Sequence, residues 1–359
     1  MKVVITGGGT GGHLSVAKAF LEEFDKRGYE CIFVGSMGGQ DRVYFGDDNR
    51  FAKKYFLQTK GVVNQRILGK IGSLFQHFKA FIEALKILKQ ERVDFVLSVG
   101  GYSAAPAAFG AVFLRLPLII HEQNARIGRL NNLLKPYAAV FFSSYLETSP
   151  IKFYPVRKEF FEYSRVRERV DKILFIGGSQ GARAINNFAL SMAMDLQKRG
   201  IKIFHQCGKN DFQRVLEEYH KLPLKIKILE TMEDLKDDFD VLLFDFSKNM
   251  PKIFEACDFA VSRAGASSLW ELCANGIVTL FVPYPYAAGN HQYFNAKFLE
   301  DKELGFLCEE KDLYCDVLWN ILELLTQRTL SKMSRELQRE THIGATGQMV
   351  DCILERIKK

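Results

Sequence analysis

The sequence lacks the long apolar run of roughly 20 residues that a membrane-spanning helix requires. Near its start, Val3 to Ile5 lead directly into a glycine turn, without the separate basic region and small-residue cleavage site of a signal peptide. We therefore expect neither a helical membrane anchor nor export, and we predict the cytoplasm as the compartment.

Metal-binding and disulfide motifs are also missing. The seven cysteines are dispersed and include no Cys-x-x-Cys pair, so we interpret them as reduced packing residues. The sequence contains no His-Glu-x-x-His run, and no Asp-x-Asp pair ends a predicted strand. We therefore expect no structural metal and no tightly bound cofactor.

The chain is 359 residues long, which is more than one hydrophobic core usually fills, so two domains are expected. Hydrophobic residues make up 47% and charged residues 25%, as in ordinary globular proteins. The net charge of +7 is uneven, because the positive excess lies in residues 1–157. This indicates an anionic partner, either a membrane surface or nucleic acid, with dispersed solubilising charge as the simpler alternative.

Short apolar runs alternate with helical patterns in both halves of the chain. In the first half, strands are predicted at 2–6, 30–35, 93–99, 117–121 and 138–143, and helices near 12–27, 74–90, 104–115 and 126–136. In the second half, strands are predicted at 172–176, 201–207, 241–246, 258–262 and 278–282, and helices near 181–199, 210–220, 248–256, 266–275 and 291–301. Each half therefore predicts an α/β domain, with a parallel sheet covered by helices on both faces.

Pro150 and Pro155 interrupt the pattern and make the segment that ends at Arg157 the predicted linker. The first domain is predicted to comprise residues 1–157, with a C-terminal helix at about 345–359 packing back onto it. The second domain is predicted at 158–344. The acidic stretch 230–240 is interpreted as a solvated insertion.

Two glycine-rich turns, Gly7–Gly12 and Gly177–Gly181, each follow a predicted strand and open into a helix. Glycines let backbone N–H groups approach an anion, and the helix start adds partial positive charge. This predicts a duplicated phosphate cradle in a cleft between two domains. The first turn matches Gly-x-Gly-x-x-Gly, but the second predicted strand ends at Gly35-Ser36 without the acidic residue of a nicotinamide site.

Polar residues follow the predicted strands of the first half. His13 stands just beyond the first glycine turn, and histidine is suited to accept a proton from a substrate hydroxyl near neutral pH. A histidine that only caps or packs is the alternative. Gly100–Tyr102 and His121–Asn124 also follow strands, so we expect them to line a site at the carboxyl edge of the sheet rather than an ordinary surface loop.

The second half repeats this arrangement. Ser179 adds a hydroxyl to the second glycine turn, and the run Ser262–Glu271 follows a strand and enters a helix. The Glu271 carboxylate can accept two hydrogen bonds from a vicinal diol such as a ribose. Asn290, His291 and Gln292 begin another helix and suit a hydroxyl-rich sugar.

In order, the motifs Gly-Gly-Thr-Gly-Gly-His13, Gly100-Gly-Tyr, His121-Glu-Gln-Asn124, Gly177-Gly-Ser-Gln-Gly-Ala-Arg183, Arg263-Ala-Gly-Ala and His291-Gln-x-x-Asn-Ala296 cover nearly the whole chain. This set resembles the MurG family of UDP-N-acetylglucosamine:undecaprenyl-pyrophosphoryl-muramoyl-pentapeptide N-acetylglucosaminyltransferases. The resemblance implies the GT-B glycosyltransferase fold, with two Rossmann-like domains facing across a cleft. The N-terminal domain takes the acceptor and the C-terminal domain takes UDP-GlcNAc, the only small-molecule donor expected.

The resemblance also implies site residues. It places the donor on Thr10, Gly11, Gly12, Asn124, Arg157, Ser179, Gln180, Gly181, Ser247, Ala266, Ser267, Ser268, Glu271 and Gln292. It places the acceptor on Gly100, Gly101, Tyr102 and His121. In this assignment Ser179 meets the phosphates, Glu271 the ribose, and Gln292 with Asn124 the sugar.

The reaction implied is an inverting transfer of GlcNAc to the 4-hydroxyl of the lipid-linked muramoyl-pentapeptide, lipid I, which gives lipid II for peptidoglycan synthesis. His13 is our candidate for the general base, and Glu122 is the alternative. Other GT-B enzymes, such as diacylglycerol glycosyltransferases and UDP-GlcNAc epimerases, use similar glycine turns. A membrane-bound UDP-sugar sensor without catalysis is a further alternative.

Residues 66–92 combine a dense apolar set with lysines and arginines. Ile71, Leu74, Phe75 and Phe78 are too numerous for one buried face, so we predict that 66–78 lies in an anionic membrane interface. A helix that only covers the sheet is the alternative, and we expect that role for 79–90. With the resemblance, this predicts a peripheral protein on the cytoplasmic face of the bacterial cell membrane. Its partners would be a lipid-linked acceptor and a cell-wall synthesis complex, and not nucleic acid.

Overall fold

A computed structural model describes residues 1–59, 67–178, 181–236 and 238–358; the side chains of 67–75 and 77 lie outside this description. The chain divides into two compact units. The N-terminal unit comprises Met1–Val156 and Ile343–Lys359, and the C-terminal unit comprises Arg157–His342.

The N-terminal unit is an α/β domain with one parallel sheet. Its strands are β1 (Lys2–Thr6), β2 (Glu30–Ser36), β3 (Phe51–Leu57), β4 (Phe95–Ser98), β5 (Leu118–Glu122) and β6 (Val140–Ser143). Its helices are α1 (Gly11–Lys26), α2 (Asp41–Phe45), α3 (Ile67–Gln90), α4 (Ala105–Leu114), α5 (Arg129–Leu134) and, from the end of the chain, α14 (Ala345–Ile357). The strand order is β3-β2-β1-β4-β5-β6.

The apolar strands form because a parallel sheet covered on both faces buries every residue of its central strands. Val3, Val4 and Ile5 of β1 have no exposed surface. One face of the sheet packs on α3 and α4 through residues such as Ala84 and Ala108. Most of this core could therefore be predicted from apolar runs alone.

The last helix belongs to the first unit. Arg27 at the end of α1 pairs with Asp351 of α14 at 2.5 Å and donates to the Gly347 carbonyl at 3.1 Å. The same guanidinium pairs with Glu23. These contacts fix α14 against α1.

The C-terminal unit contains a second parallel sheet. Its strands are β7 (Lys172–Ile176), β8 (Lys202–Gln206), β9 (Ile226–Ile228), β10 (Val241–Phe244), β11 (Phe259–Ser262), β12 (Val278–Phe281) and β13 (Phe306–Leu307). Its helices are α6 (Glu159–Glu162), α7 (Arg183–Lys198), α8 (Phe212–His220), α9 (Met250–Ala256), α10 (Ala266–Asn275), α11 (His291–Glu300), α12 (Cys315–Leu324) and α13 (Gln327–Arg339). The strand order is β13-β12-β11-β7-β8-β10-β9.

Three strands, β3, β9 and β13, were absent from the sequence prediction. All three lie at the edges of their sheets. Edge strands are buried on fewer sides and often carry charge, so their sequences lack the apolar run of a central strand. In β3, Ala52 and Lys53 are exposed, and β13 has only two residues.

The acidic stretch contains a short 3₁₀ helix, Met232–Lys236, none of whose residues is buried. Asp234 closes it by accepting the N–H groups of Glu230 and Thr231, at 2.8 and 2.7 Å. Asp237 lies outside the described residues. Residues 230–236 therefore form a surface turn held by the Asp234 carboxylate, whereas Phe239 further along the stretch is buried.

Candidate active site

In each sheet, the chain changes direction at one pair of neighbouring strands. In the N-terminal unit this pair is β1 and β4, and in the C-terminal unit it is β7 and β11. Loops leave the carboxyl ends of such a pair in opposite directions and open a crevice, the usual ligand position in open α/β sheets. The turns Gly7–Gly12 and Gly177–Gly181 follow β1 and β7, so each unit carries its glycines at its crevice.

In the N-terminal unit, the backbone of the Gly7–Gly12 turn packs against the backbone of the Gly100–Tyr102 turn. Gly8 N–H donates to the Gly100 carbonyl at 3.2 Å. A Cβ added at Gly7 would lie 2.5 Å from the same carbonyl oxygen, and one added at Gly9 would lie 2.5 Å from the Tyr102 ring. The predicted residues Gly100, Gly101 and Tyr102 are thus brought together with the first turn because only glycine permits this approach.

His13 lies in the first turn of α1, against the Gly100–Tyr102 turn. Thr10 is the residue preceding the helix, and its Oγ1 lies 2.9 Å from His13 Nδ1. A Cβ at Gly100 would be 3.3 Å from His13 Nε2. The ring is therefore oriented by Thr10, with Nε2 on the side of Gly100. Gly11 and Gly12 begin α1 beside it and are half-buried.

The first turn differs from the predicted phosphate cradle. The N–H of Gly9 donates to Asp41 Oδ1 at 2.5 Å, and the N–H of Ser36 donates to Asp41 Oδ2 at 2.8 Å. An internal carboxylate therefore occupies part of the anion-binding position. Asp41 was missed because it is 32 residues from Gly9 in the sequence.

Glu122, at the end of β5, organises the loop that follows it. Its Oε1 accepts the N–H of Asn124 at 2.9 Å, and its Oε2 accepts the Gly128 N–H at 2.8 Å and Asn131 Nδ2 at 2.9 Å. The side chain is only 2% exposed. Because these donors occupy both oxygens, the arrangement argues against Glu122 as the general base and leaves His13 as the candidate. Asn124 is half-buried beside it.

His121 requires a correction. Its side chain is fully buried, with edge-on ring contacts to Phe20 and Tyr154. Burial lowers the pKa of His121 to about 3, so its ring is neutral near pH 7. The structure therefore places His121 in the core and not on the surface where an acceptor would bind.

In the C-terminal unit, the glycine turn lies against the end of β8. Gly181 has a φ of +77° and donates to the Gly178 carbonyl at 2.9 Å. A Cβ at Gly181 would meet the Cys207 carbonyl oxygen closer than 3.0 Å, so the position requires glycine. The predicted residues Ser179 and Gln180 lie outside the described residues.

The loop after β11 leads into α10, whose first residues are the predicted nucleotide contacts. Ala266 and Ser267 are buried, Ser268 and Glu271 are half-buried, and all four lie in the first two turns of the helix. A helix start presents N–H groups to an anion. Glu271 stands one turn further on, where a carboxylate suits a neutral diol better than a phosphate.

Arg263 joins this loop to the one after β12. Its guanidinium donates to the carbonyls of Val282 and Pro283 at 3.0 and 3.2 Å and pairs with Glu310. Gln292, in the first turn of α11, accepts the Tyr284 N–H at 3.0 Å. These bonds hold the Gln292 segment beside the α10 start, since β11 and β12 are neighbours in the sheet.

The two remaining predicted residues lie elsewhere in the C-terminal unit. Ser247 follows β10, and its Oγ accepts the Asn249 N–H at 3.1 Å. The Arg157 guanidinium lies 5.1 Å from the centre of the Phe160 ring, and its Nε is buried without a hydrogen-bond partner among the described residues. No group of three or more His, Cys, Asp or Glu side chains in the described ranges could hold a metal ion.

Two parallel-sheet α/β domains, each with a glycine turn at its crevice, are the architecture of the GT-B glycosyltransferase fold. Sequence models of the glycosyltransferase family 28 N-terminal and C-terminal domains match residues 3–143 and 172–346. These matches confirm the predicted fold class, and the chain is a member of that family.

The full-length relatives are more specific. A UDP-N-acetylglucosamine–N-acetylmuramyl-(pentapeptide) pyrophosphoryl-undecaprenol N-acetylglucosamine transferase from Wolinella succinogenes is 48% identical, covering 99% of this chain and 100% of its own. The enzyme of that name from Campylobacter jejuni serotype O:6 is 46% identical, covering 98% of this chain and 96% of its own. The chain therefore belongs to the MurG family of N-acetylglucosaminyltransferases, as the motifs predicted.

Solved structures agree with this membership. The crystal structure of Acinetobacter baumannii MurG matches with a TM-score of 0.78 and 27% identity, covering 99% of both chains. A UDP-GlcNAc 2-epimerase from Neisseria meningitidis matches with a TM-score of 0.61 but only 11% identity, covering 99% of this chain and 100% of its own. The second match shows the fold alone.

Proposed function

We propose that this enzyme transfers GlcNAc from UDP-GlcNAc to the muramoyl 4-hydroxyl of undecaprenyl-pyrophosphoryl-MurNAc-pentapeptide, with inversion at the anomeric carbon. The new bond joins the acceptor oxygen to the anomeric carbon, the bond to UDP breaks, and the acceptor proton passes to a base. The observation that carries the proposal is full-length identity of 48% to a transferase named for this reaction.

The donor is assigned to the C-terminal unit. Glu271 accepts hydrogen bonds from the ribose hydroxyls, and the start of α10 with Gly181 faces the diphosphate. Negative charge grows on the diphosphate as the sugar leaves, so backbone N–H groups there stabilise the transition state more than the ground state. The Arg157 guanidinium supplies a positive charge on the nucleotide side of the site. Its buried Nε has no hydrogen-bond partner among the described residues.

The acceptor and the base are assigned to the N-terminal unit. Gly100–Tyr102 form the surface against which the muramoyl sugar lies, and His13 Nε2 takes its 4-hydroxyl proton. When Thr10 accepts a hydrogen bond from Nδ1–H, the lone pair is left on Nε2, where a base requires it. Thr10, Gly11, Gly12 and Asn124 are assigned to the donor sugar.

The decisive experiment measures UDP release from UDP-GlcNAc with and without a lipid I analogue. We expect release only when the acceptor is present, since an epimerase needs no acceptor and a sensor releases nothing.

Glu271→Ala and Gln292→Ala should each raise the KM for UDP-GlcNAc about tenfold, as for the loss of one or two hydrogen bonds. Glu323→Ala, at an exposed helix position of the same unit, is the matched control. A normal donor KM in both variants would contradict the assigned nucleotide site.

We also propose that the α3–α4 surface attaches the protein to an anionic membrane. Phe78 on α3 is 60% exposed and Phe113 on α4 is 68% exposed. The Phe113 ring packs edge-on against Phe81 of α3 at 6.0 Å, so the two helices present one apolar surface. The exposed residues Lys86 and Arg115 lie on α3 and at the end of α4. Aromatic side chains beside cations favour the interface of an anionic bilayer.

This surface extends the sequence prediction. Ile71, Leu74 and Phe75 have side chains outside the described part of the chain, whereas Phe78 is exposed as the prediction requires. Phe113 was missed because α4 reads as a uniformly apolar buried helix. No helix in the described ranges is long and apolar enough to cross a membrane.

Vesicle co-sedimentation tests the α3–α4 surface. Replacing both Phe78 and Phe113 by serine should weaken binding to vesicles containing anionic phospholipid at least about tenfold, because burying one aromatic side chain contributes about 1.5–3 kcal/mol. The control is Tyr314→Ser, which changes a 66% exposed aromatic residue of the C-terminal unit. Unchanged binding of the double variant would remove the proposal.

A further inference from the structure

The first glycine turn contains a carboxylate where a ligand anion was predicted. Gly7, Gly8 and Gly9 have φ values of +128°, +155° and +84°, which L side chains rarely adopt. Successive N–H groups in such turns form a concavity suited to an anion. Here the Gly9 and Ser36 N–H groups bind the two oxygens of Asp41, one each.

The Asp41 carboxylate packs closely against the glycine turn and is fully buried. A Cβ added at Gly8 would lie closer than 3.0 Å to both Asp41 carboxylate oxygens, and one added at Gly35 would lie 2.9 Å from Oδ2. The Asp41 side chain has no exposed surface. Burial raises the pKa of Asp41, whereas its hydrogen bonds from Gly9 and Ser36 oppose that rise. The turn and this carboxylate are therefore built to match each other.

Neighbouring contacts extend the match to the catalytic region. Tyr102 donates its hydroxyl proton to the Gly38 carbonyl, three residues before Asp41. A Cβ at Gly39 would lie 3.1 Å from Gly9 Cα. The 38–41 loop therefore packs over Gly9 of the Gly7–Gly12 turn. This turn contains Thr10 and continues into α1, which carries His13. A displacement of Gly9 would move the imidazole that we assign as the base.

We propose that Asp41 is a positioning residue that acts as the built-in anion of the first glycine turn. It fixes the segment that carries Thr10 and His13, and it leaves the Gly9 N–H unavailable to a substrate phosphate. The inference rests on the proposed function. It also restricts that function, since the acceptor diphosphate must be bound by groups other than the Gly9 amide.

Chemical rescue tests this role. Asp41→Ala should lower kcat about 100-fold, since a displacement of about 1 Å can cost that much. Sodium formate should refill the vacated position and restore kcat at least about fivefold, whereas sodium chloride of equal ionic strength should not. Asp47→Ala, at an exposed position between α2 and β3, should behave as wild type with or without formate.

A second readout separates this inference from the proposed function. Formate should raise the melting temperature of Asp41→Ala and leave that of wild type unchanged, whether or not either protein transfers GlcNAc. If Asp41→Ala does not fold, Asp41→Asn should fold and show the same loss of kcat, without a response to formate because its side chain fills the site. A folded variant with wild-type kcat, or an Asp41→Ala protein indifferent to formate in both readouts, would overturn the inference.

Discussion

Replacing His13 with alanine is expected to lower kcat by about 100-fold or more, because general base catalysis usually contributes at least that factor. The KM for UDP-GlcNAc should change less than threefold, since the nucleotide contacts are assigned to the C-terminal unit. The side chain is half-buried at the start of α1, so its loss should leave the fold intact. Steady-state kinetics with a lipid I analogue, together with a melting curve, measure both effects.

The matched control is His220→Ala, which changes an exposed histidine at the end of α8. A pH profile adds a test that a packing role would not affect. If His13 is the base, the acidic limb of the wild-type kcat profile should disappear in His13→Gln. Turnover by His13→Ala within about tenfold of wild type would exclude this residue as the base, because the expected contribution is larger.

The sequence predicted the central strands and the glycine turns because each depends on local features. Helix starts were predicted less well, since α3 begins at Ile67 rather than near residue 74 and the short helix α2 was not predicted. β1 and β7 are apolar runs followed by glycine, and such a run has few alternatives in a sheet covered on both faces. The edge strand β3 could not be predicted in this way, since Lys53 and Lys54 interrupt its apolar residues. Its existence depends on pairing with β2, which is a non-local interaction.

The interior of the candidate site could be predicted only in part. His121 and Glu122 are polar residues at the end of a buried strand, and polarity suggested exposure to a ligand. In the structure both are buried, with Glu122 bonded to its own loop and His121 among aromatic rings. Polarity in a sequence does not distinguish a ligand contact from an internal partner. Asp41 shows the same limit, because its partners are backbone amides that any sequence would supply.

The largest stability effect is expected from Gly101→Ala. Gly101 has a φ of +83°, and a Cβ there would meet the Gly8 carbonyl oxygen closer than 3.0 Å. With a ψ of 165°, Gly101 occupies a backbone region essentially restricted to glycine, which costs any other residue about 1–3 kcal/mol. Separating the two backbones should add about 1–3 kcal/mol, the range found for overpacked sites. The N-terminal unit should therefore be destabilised by about 2–6 kcal/mol, with activity lost as the Gly7–Gly12 turn and His13 are displaced.

Gly28→Ala is the control for a positive φ without a steric contact. Gly28 has a φ of +73°, and no described atom lies within 4 Å of an added Cβ. Its substitution should cost only the conformational part, about 1–2 kcal/mol, and leave kcat unchanged. Chemical denaturation of both variants, with kcat measured in parallel, gives the difference directly. Equal destabilisation of the Gly101→Ala and Gly28→Ala proteins would mean that the Gly7–Gly12 and Gly100–Tyr102 turns are not held in contact. The placement of His13 against Gly100 would then lose its structural basis.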